Sequence, residues 1–95
     1  MGLLDLLLNK QQKQHKAAKE IGLESGLFVM CPICHDVTEA PTPSVHRPVT
    51  ESLIRELIRR KDPRASLFDN DEQAIIETVA QVARDLPYRC NCHSL

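Results

Sequence analysis

Apolar positions along the chain fall into four groups, set apart by polar or proline-rich stretches. In the first, Leu3, Leu4, Leu7 and Leu8 recur at helical spacing. Residues 3 to 20 are dominated by Leu, Gln, Lys, Ala and Glu with no Pro or Gly, which predicts a helix with Gly22 as its stop. After Asn9 the pattern turns polar until Ala17, Ala18 and Ile21, so the second half of this helix has little to bury and is expected to project or fray. The second group, Gly26-Leu27-Phe28-Val29-Met30, predicts a short strand feeding the first cysteine. Residues 36 to 48 hold Pro41, Pro43 and Pro48 among Ser and Thr and predict a semi-rigid loop.

Thr50 then reads as the N-cap of a second helix. Leu53, Ile54, Leu57 and Ile58 share one face, and Glu51–Arg55 and Glu56–Arg60 stand at supportive spacing. Arg59-Arg60-Lys61 forms its last turn and Asp62-Pro63 closes it. A loop through Phe68 leads to an acidic helix start at Asp69-Asn70-Asp71-Glu72. The third helix carries Ile75, Ile76, Val79, Val82, Ala83 and Leu86 at 3.6 spacing and ends at Pro87. No internal repeat is present. The fold class is mainly α, in small α+β form: an amphipathic N-terminal helix over 1–22, then a domain over 23–95 in which two antiparallel helices lie between two cysteine clusters.

Composition changes this picture by exposing how thin the core is. A chain of 95 residues with no Trp, one Tyr (Tyr88) and two Phe (Phe28, Phe68) builds its interior from Leu, Ile, Val and Ala. Domains this small commonly need a disulfide, a metal or a partner as a staple. The net charge of −1 excludes a general electrostatic nucleic-acid binder. The opening Met-Gly-Leu-Leu-Asp lacks the positive charge and the cleavage site of a secretory signal, and its apolar run is too short to span a bilayer. Position 6 is leucine where a myristoylation motif has Ser or Thr. These features predict a soluble intracellular protein with no transmembrane segment, in which thiols stay reduced.

The candidate chemistry follows from that compartment. Cys31-Pro-Ile-Cys34 and Cys90-Asn-Cys92-His93 together offer the soft ligands for one tetrahedral zinc ion. Cys31, Cys34, Cys90 and Cys92 give an all-thiolate set. His93 is the alternative fourth ligand, because Cys90 and His93 share the two-residue gap of the first pair. His35 stands where knuckles commonly carry Gly. A filled set of four leaves no open coordination position, so the Zn2+ is expected to be structural.

The pairing of C-x-x-C with C-x-C resembles the zinc centre of redox-regulated chaperones, in reversed order and at longer separation. That resemblance implies a thiol switch that releases metal on oxidation. Cys31-Pro-Ile-Cys34, with Pro48-Val49-Thr50 and Leu53-Ile54 beyond it, also resembles the opening of RING and U-box ubiquitin-ligase domains. It implies a partner surface at Ile33 and the Pro41–Pro43 loop; the interleaved second ligand set of a RING is missing apart from His46. No nucleophile–base pair, paired-carboxylate signature or phosphate-binding Gly-rich loop stands out, so the chain is read as non-enzymatic. Lys10, Lys13, Lys16 and Lys19 wind around the first helix as a solvated face, and nucleic acid is the sharper alternative for them. The front leucines Leu3, Leu4, Leu7 and Leu8 are candidate contacts for a protein partner or for self-association.

Overall fold

A computed structural model describes the backbone of residues 3–87 and the side chains of residues 10–87. The order is α1 (Leu3–Ser25), β1 (Phe28–Met30), β2 (Val37–Glu39), α2 (Pro43–Arg59), α3 (Pro63–Ser66) and α4 (Glu72–Asp85). The fold is mostly helical with one two-stranded sheet. The strands pair antiparallel in the register Phe28↔Glu39, Val29↔Thr38, Met30↔Val37.

The second half of α1, expected to project, is instead part of the interior. Ala17, Ala18 and Ile21 are buried in one cluster with Phe28, Ile54, Leu57, Phe68, Ile75, Val79 and Val82. The alanines lack the bulk that marks a core face in a sequence, but small side chains allow α1 to approach its neighbours closely. Gly22 does not end the helix. Its missing side chain makes room for the Phe28 ring, which would overlap a Cβ at this position. The stop comes at Gly26, whose φ of 84° lies in the left-handed region that glycine reaches without steric cost.

The expected loop over 36 to 48 is corrected twice. Val37–Glu39 forms β2, and α2 begins at Pro43, with Thr42 as its N-cap. Pro43 occupies the first helical turn, where a missing N–H has no consequence. Pro48 lies inside the helix and has no N–H to offer the carbonyl of Ser44. Thr50 is therefore a buried mid-helix residue and not a cap. Its Oγ1 stands 2.8 Å from Ser25 Oγ and 3.0 Å from the His46 carbonyl, and Ser25 Oγ stands 3.2 Å from the Gly22 carbonyl; one hydroxyl donates to the other, and the accepting one donates to its own helix carbonyl. This hydroxyl pair ties the end of α1 to α2. Thr50→Val is expected to lower stability by about 1–2 kcal/mol by leaving a buried hydroxyl with one partner fewer, and Thr50→Ser by less. Paired urea melts check the order of the two variants.

Beyond α2, Lys61 takes a φ of 57° and Asp62 caps the short helix α3, which the sequence pattern does not predict. Asp62 Oδ1 accepts from the Arg64 backbone N–H at 2.9 Å and from Arg64 Nε at 3.2 Å; Arg64 Nη1 donates to Glu24 at 2.5 Å. The side-chain bond from Arg64, and next its backbone N–H, hold the Asp62 carboxyl below its ordinary value of 3.8. A depressed carboxyl stabilises the fold fully above its unfolded pKa, and that contribution is lost as pH falls through the lower folded pKa. Asp62→Asn keeps a capping side chain without the charge. Wild type should therefore lose more stability than the variant on acidification from about pH 5 to 3, in thermal melts across that window.

The third predicted helix is α4, capped by Asp71, whose carboxylate accepts from the N–H groups of Gln73 and Ala74. Ile75, Val79 and Val82 are buried as the spacing predicts. Arg55 bonds both Glu51 and Glu72, so the middle of α2 meets the start of α4. Arg47 and Thr50 face Ala83 and Arg84 across a groove, so the two helices run antiparallel. Among the described residues, no helix is long and apolar enough to cross a membrane.

Candidate metal centre

Cys31 and Cys34 lie in the connection between β1 and β2. The hairpin ladder continues past both strands: Ala40 N donates to the Leu27 carbonyl at 2.8 Å, and Cys31 N donates to the Asp36 carbonyl at 2.9 Å. Inside the loop, His35 N donates to the Cys31 carbonyl at 2.9 Å. The loop closes because His35 adopts a φ of 64°. This is the left-handed conformation favoured by glycine, and it costs a non-glycine residue about 1–2 kcal/mol. The structure thus explains the one irregularity of the motif: His35 fills the glycine-like position of a tight turn, which brings both cysteines onto the same bend. Both thiol residues are half-buried.

The hairpin follows directly on the Ser25–Thr50 pair, which fixes the end of α1 to α2, and on Gly26, which lies beside the His46 ring. At the same end of the helix pair, α4 finishes. Leu86 caps it in an extended conformation, and the chain leaves through Pro87. Ala83 and Arg84 in the last turns of α4 share an open groove of about 490 Å³ with Leu27 and Glu39 at the base of the hairpin. The other predicted ligands, Cys90, Cys92 and His93, lie outside the described residues. Among the described residues, no group of three or more His, Cys, Asp or Glu side chains could hold a metal ion. A complete site therefore needs donors from outside the described residues.

Of the residues expected to meet a partner, Ile33 at the tip of the hairpin loop is 76 % exposed. Val29 and Met30 on β1 and Val45 and Val49 on α2 are also exposed, and spacing alone did not single them out. Their signal was present for the valines, which recur four apart, but the proline-rich context disguised the helix that carries them. The backbone of Leu3, Leu4, Leu7 and Leu8 belongs to α1, while their side chains lie outside the described residues. His46 is half-buried against Gly26. No family model matches the chain, and neither a curated protein nor a solved structure is significantly similar to it.

Proposed function

We propose that this chain is a non-enzymatic helical module, clasped by one structural zinc ion and built to bind a protein partner. The observation that carries the reading is the hairpin turn, which puts Cys31 and Cys34 on one bend of a hairpin whose base shares a groove with the last turns of α4. Cys90 follows Pro87 by three residues, which span at most about 11 Å when extended. On this reading, that reach must carry the chain from the end of α4, beside the base of the hairpin, to the cysteines in its turn. Two thiolates on a tight turn suit two corners of a tetrahedron, and Cys90 with Cys92 or His93 would supply the others. Bound there, zinc would tie the segment beyond α4 to the early hairpin, adding to the contacts that Phe28 and Val37 of the hairpin and Val82 of α4 already make in the core. Chemistry at the metal is not part of the reading, because four protein donors leave no position for water or substrate.

The test is a cobalt(II) titration of the full chain followed by visible absorption. The reading predicts saturation at one equivalent, with the strong absorption of a tetrahedral thiolate site. Cys92→Ser and His93→Ala then identify the fourth donor, since only the true ligand's removal changes the spectrum. A weak octahedral spectrum, or no saturable binding, would remove the metal from the proposal.

A further inference from the structure

The groove between α2, α4 and the hairpin has an apolar floor, including Ile54, Ile76, Val79 and Ala83, in a volume of about 490 Å³. Arg47 and Arg84 stand on its opposite helical walls, and neither forms an ion pair among the described residues; Arg84 donates only to the Gln81 amide. Glu39 on the hairpin wall is likewise without an ion pair, whereas Glu51 is engaged by Arg55. An occupant suited to this surface is apolar, with an acid for the arginines and a base for Glu39. The chain's own opening has that chemistry: Leu3-Leu4-Asp5-Leu6-Leu7-Leu8, followed by Lys10.

This segment is the start of α1, and α1 makes an arm. Residues 10 to 13 are exposed, and Gln14, which donates to the Leu67 carbonyl at 2.8 Å, is where side-chain bonding to the body begins among the described residues. The arm cannot enter the groove of its own chain. Ser25, at the far end of the same helix, is bonded to Thr50 on the groove's wall, and Leu8 is 17 residues before it. At 1.5 Å per residue, that places Leu8 about 25 Å away along the axis. We infer that the groove receives the leucine arm of a second copy of this chain, forming a homodimer closed by reciprocal exchange of arms. The inference rests on the partner-binding half of the proposed function.

Sedimentation velocity on the chain as purified, over a wide concentration range, provides the test. A reversible dimer is expected. Ala80→Glu, which places a charge at an exposed site on the groove lining, should weaken it about tenfold or more, as should the double change Leu4→Lys with Leu8→Lys. Unchanged circular dichroism identifies both variants as folded. A monomer at every concentration would overturn the inference, as would a dimer indifferent to either variant. The metal is scored separately on the same samples. A zinc-loaded monomer refutes the exchanged arm and leaves the clasp standing, while a metal-free dimer does the reverse.

Discussion

Gly22→Ala is expected to destabilise the protein by about 2 kcal/mol, although helix propensity alone would make it stabilising. The two effects have opposite signs and known sizes. In a helix interior, alanine is favoured over glycine by about 1 kcal/mol. Against that, an alanine Cβ at position 22 would lie 2.7 Å from Phe28 Cγ and closer still to Cδ2 and Cε2. The ring is 1 % exposed, belongs to a strand paired with β2, and is surrounded by the core cluster, so it has no free space into which to rotate. Overpacking of this kind typically costs about 1–3 kcal/mol, and a backbone shift between α1 and β1 would also disturb the Ser25–Thr50 pair at the end of α1. Steric overlap therefore prevails over propensity. In a domain of this size, the melting temperature should fall by about 8–16 °C. The cause is isolated by adding Phe28→Leu: the double variant should lose less than the sum of the single changes, because the smaller side chain vacates the contested space. A rise in melting temperature for Gly22→Ala would show that Phe28 does not occupy the space beside Gly22.

Metal removal is the second large effect. If the ion joins the hairpin to the chain beyond α4, it binds the folded state and scarcely the unfolded one. Its contribution then grows with free metal: a concentration about a thousandfold above Kd stabilises by about 4 kcal/mol. Chelation should therefore lower the melting temperature by about 15–30 °C. The loss should be uneven across the molecule. Amide exchange should accelerate first in the hairpin over residues 28–39 and at the end of α4, because these are the segments the ion would hold. The centre of the fold should be the last to open, since Ile21, Ile54, Leu57 and Ile75 are each fully buried without any metal ligand among them. Uniform exchange and an unchanged melting temperature in chelator would separate the fold's stability from the cysteines.

Which parts of this architecture can be read from the sequence depends on side-chain size. Ile75, Val79 and Val82 announce α4 because large β-branched and aliphatic groups at 3.6 spacing have no other use than burial. Ile54 and Leu57 do the same for the second half of α2. The interior half of α1 hides itself: Ala17 and Ala18 carry little apolar surface, and Gly22 looks like punctuation when it is in fact a packing position. Residue type at 22 says only that a side chain is absent, and the ring of Phe28 supplies the reason. The early start of α2 is obscured by Pro41, Pro43 and Pro48, yet position in the helix decides what each proline does. Pro43 at the first turn is compatible with the helix, and Pro48 is tolerated because Thr50 and the hairpin hold that stretch in place. At the candidate site, the spacing of Cys31 and Cys34 identifies the turn, while His35 looks wrong until its left-handed backbone is seen. The long-range hydrogen bonds of Gln14, Glu24 and Arg64 have no sequence signature, since each depends on helices meeting at angles that periodicity does not encode.

The claim that the hairpin and the segment beyond α4 hold one ion together is tested most directly by native mass spectrometry of the full chain. The predicted result is a single zinc per chain, lost alike on Cys34→Ser, in the hairpin, and on Cys90→Ser, beyond α4. A folded chain carrying no metal would contradict the account, and so would full zinc occupancy after Cys90 and Cys92 are both replaced.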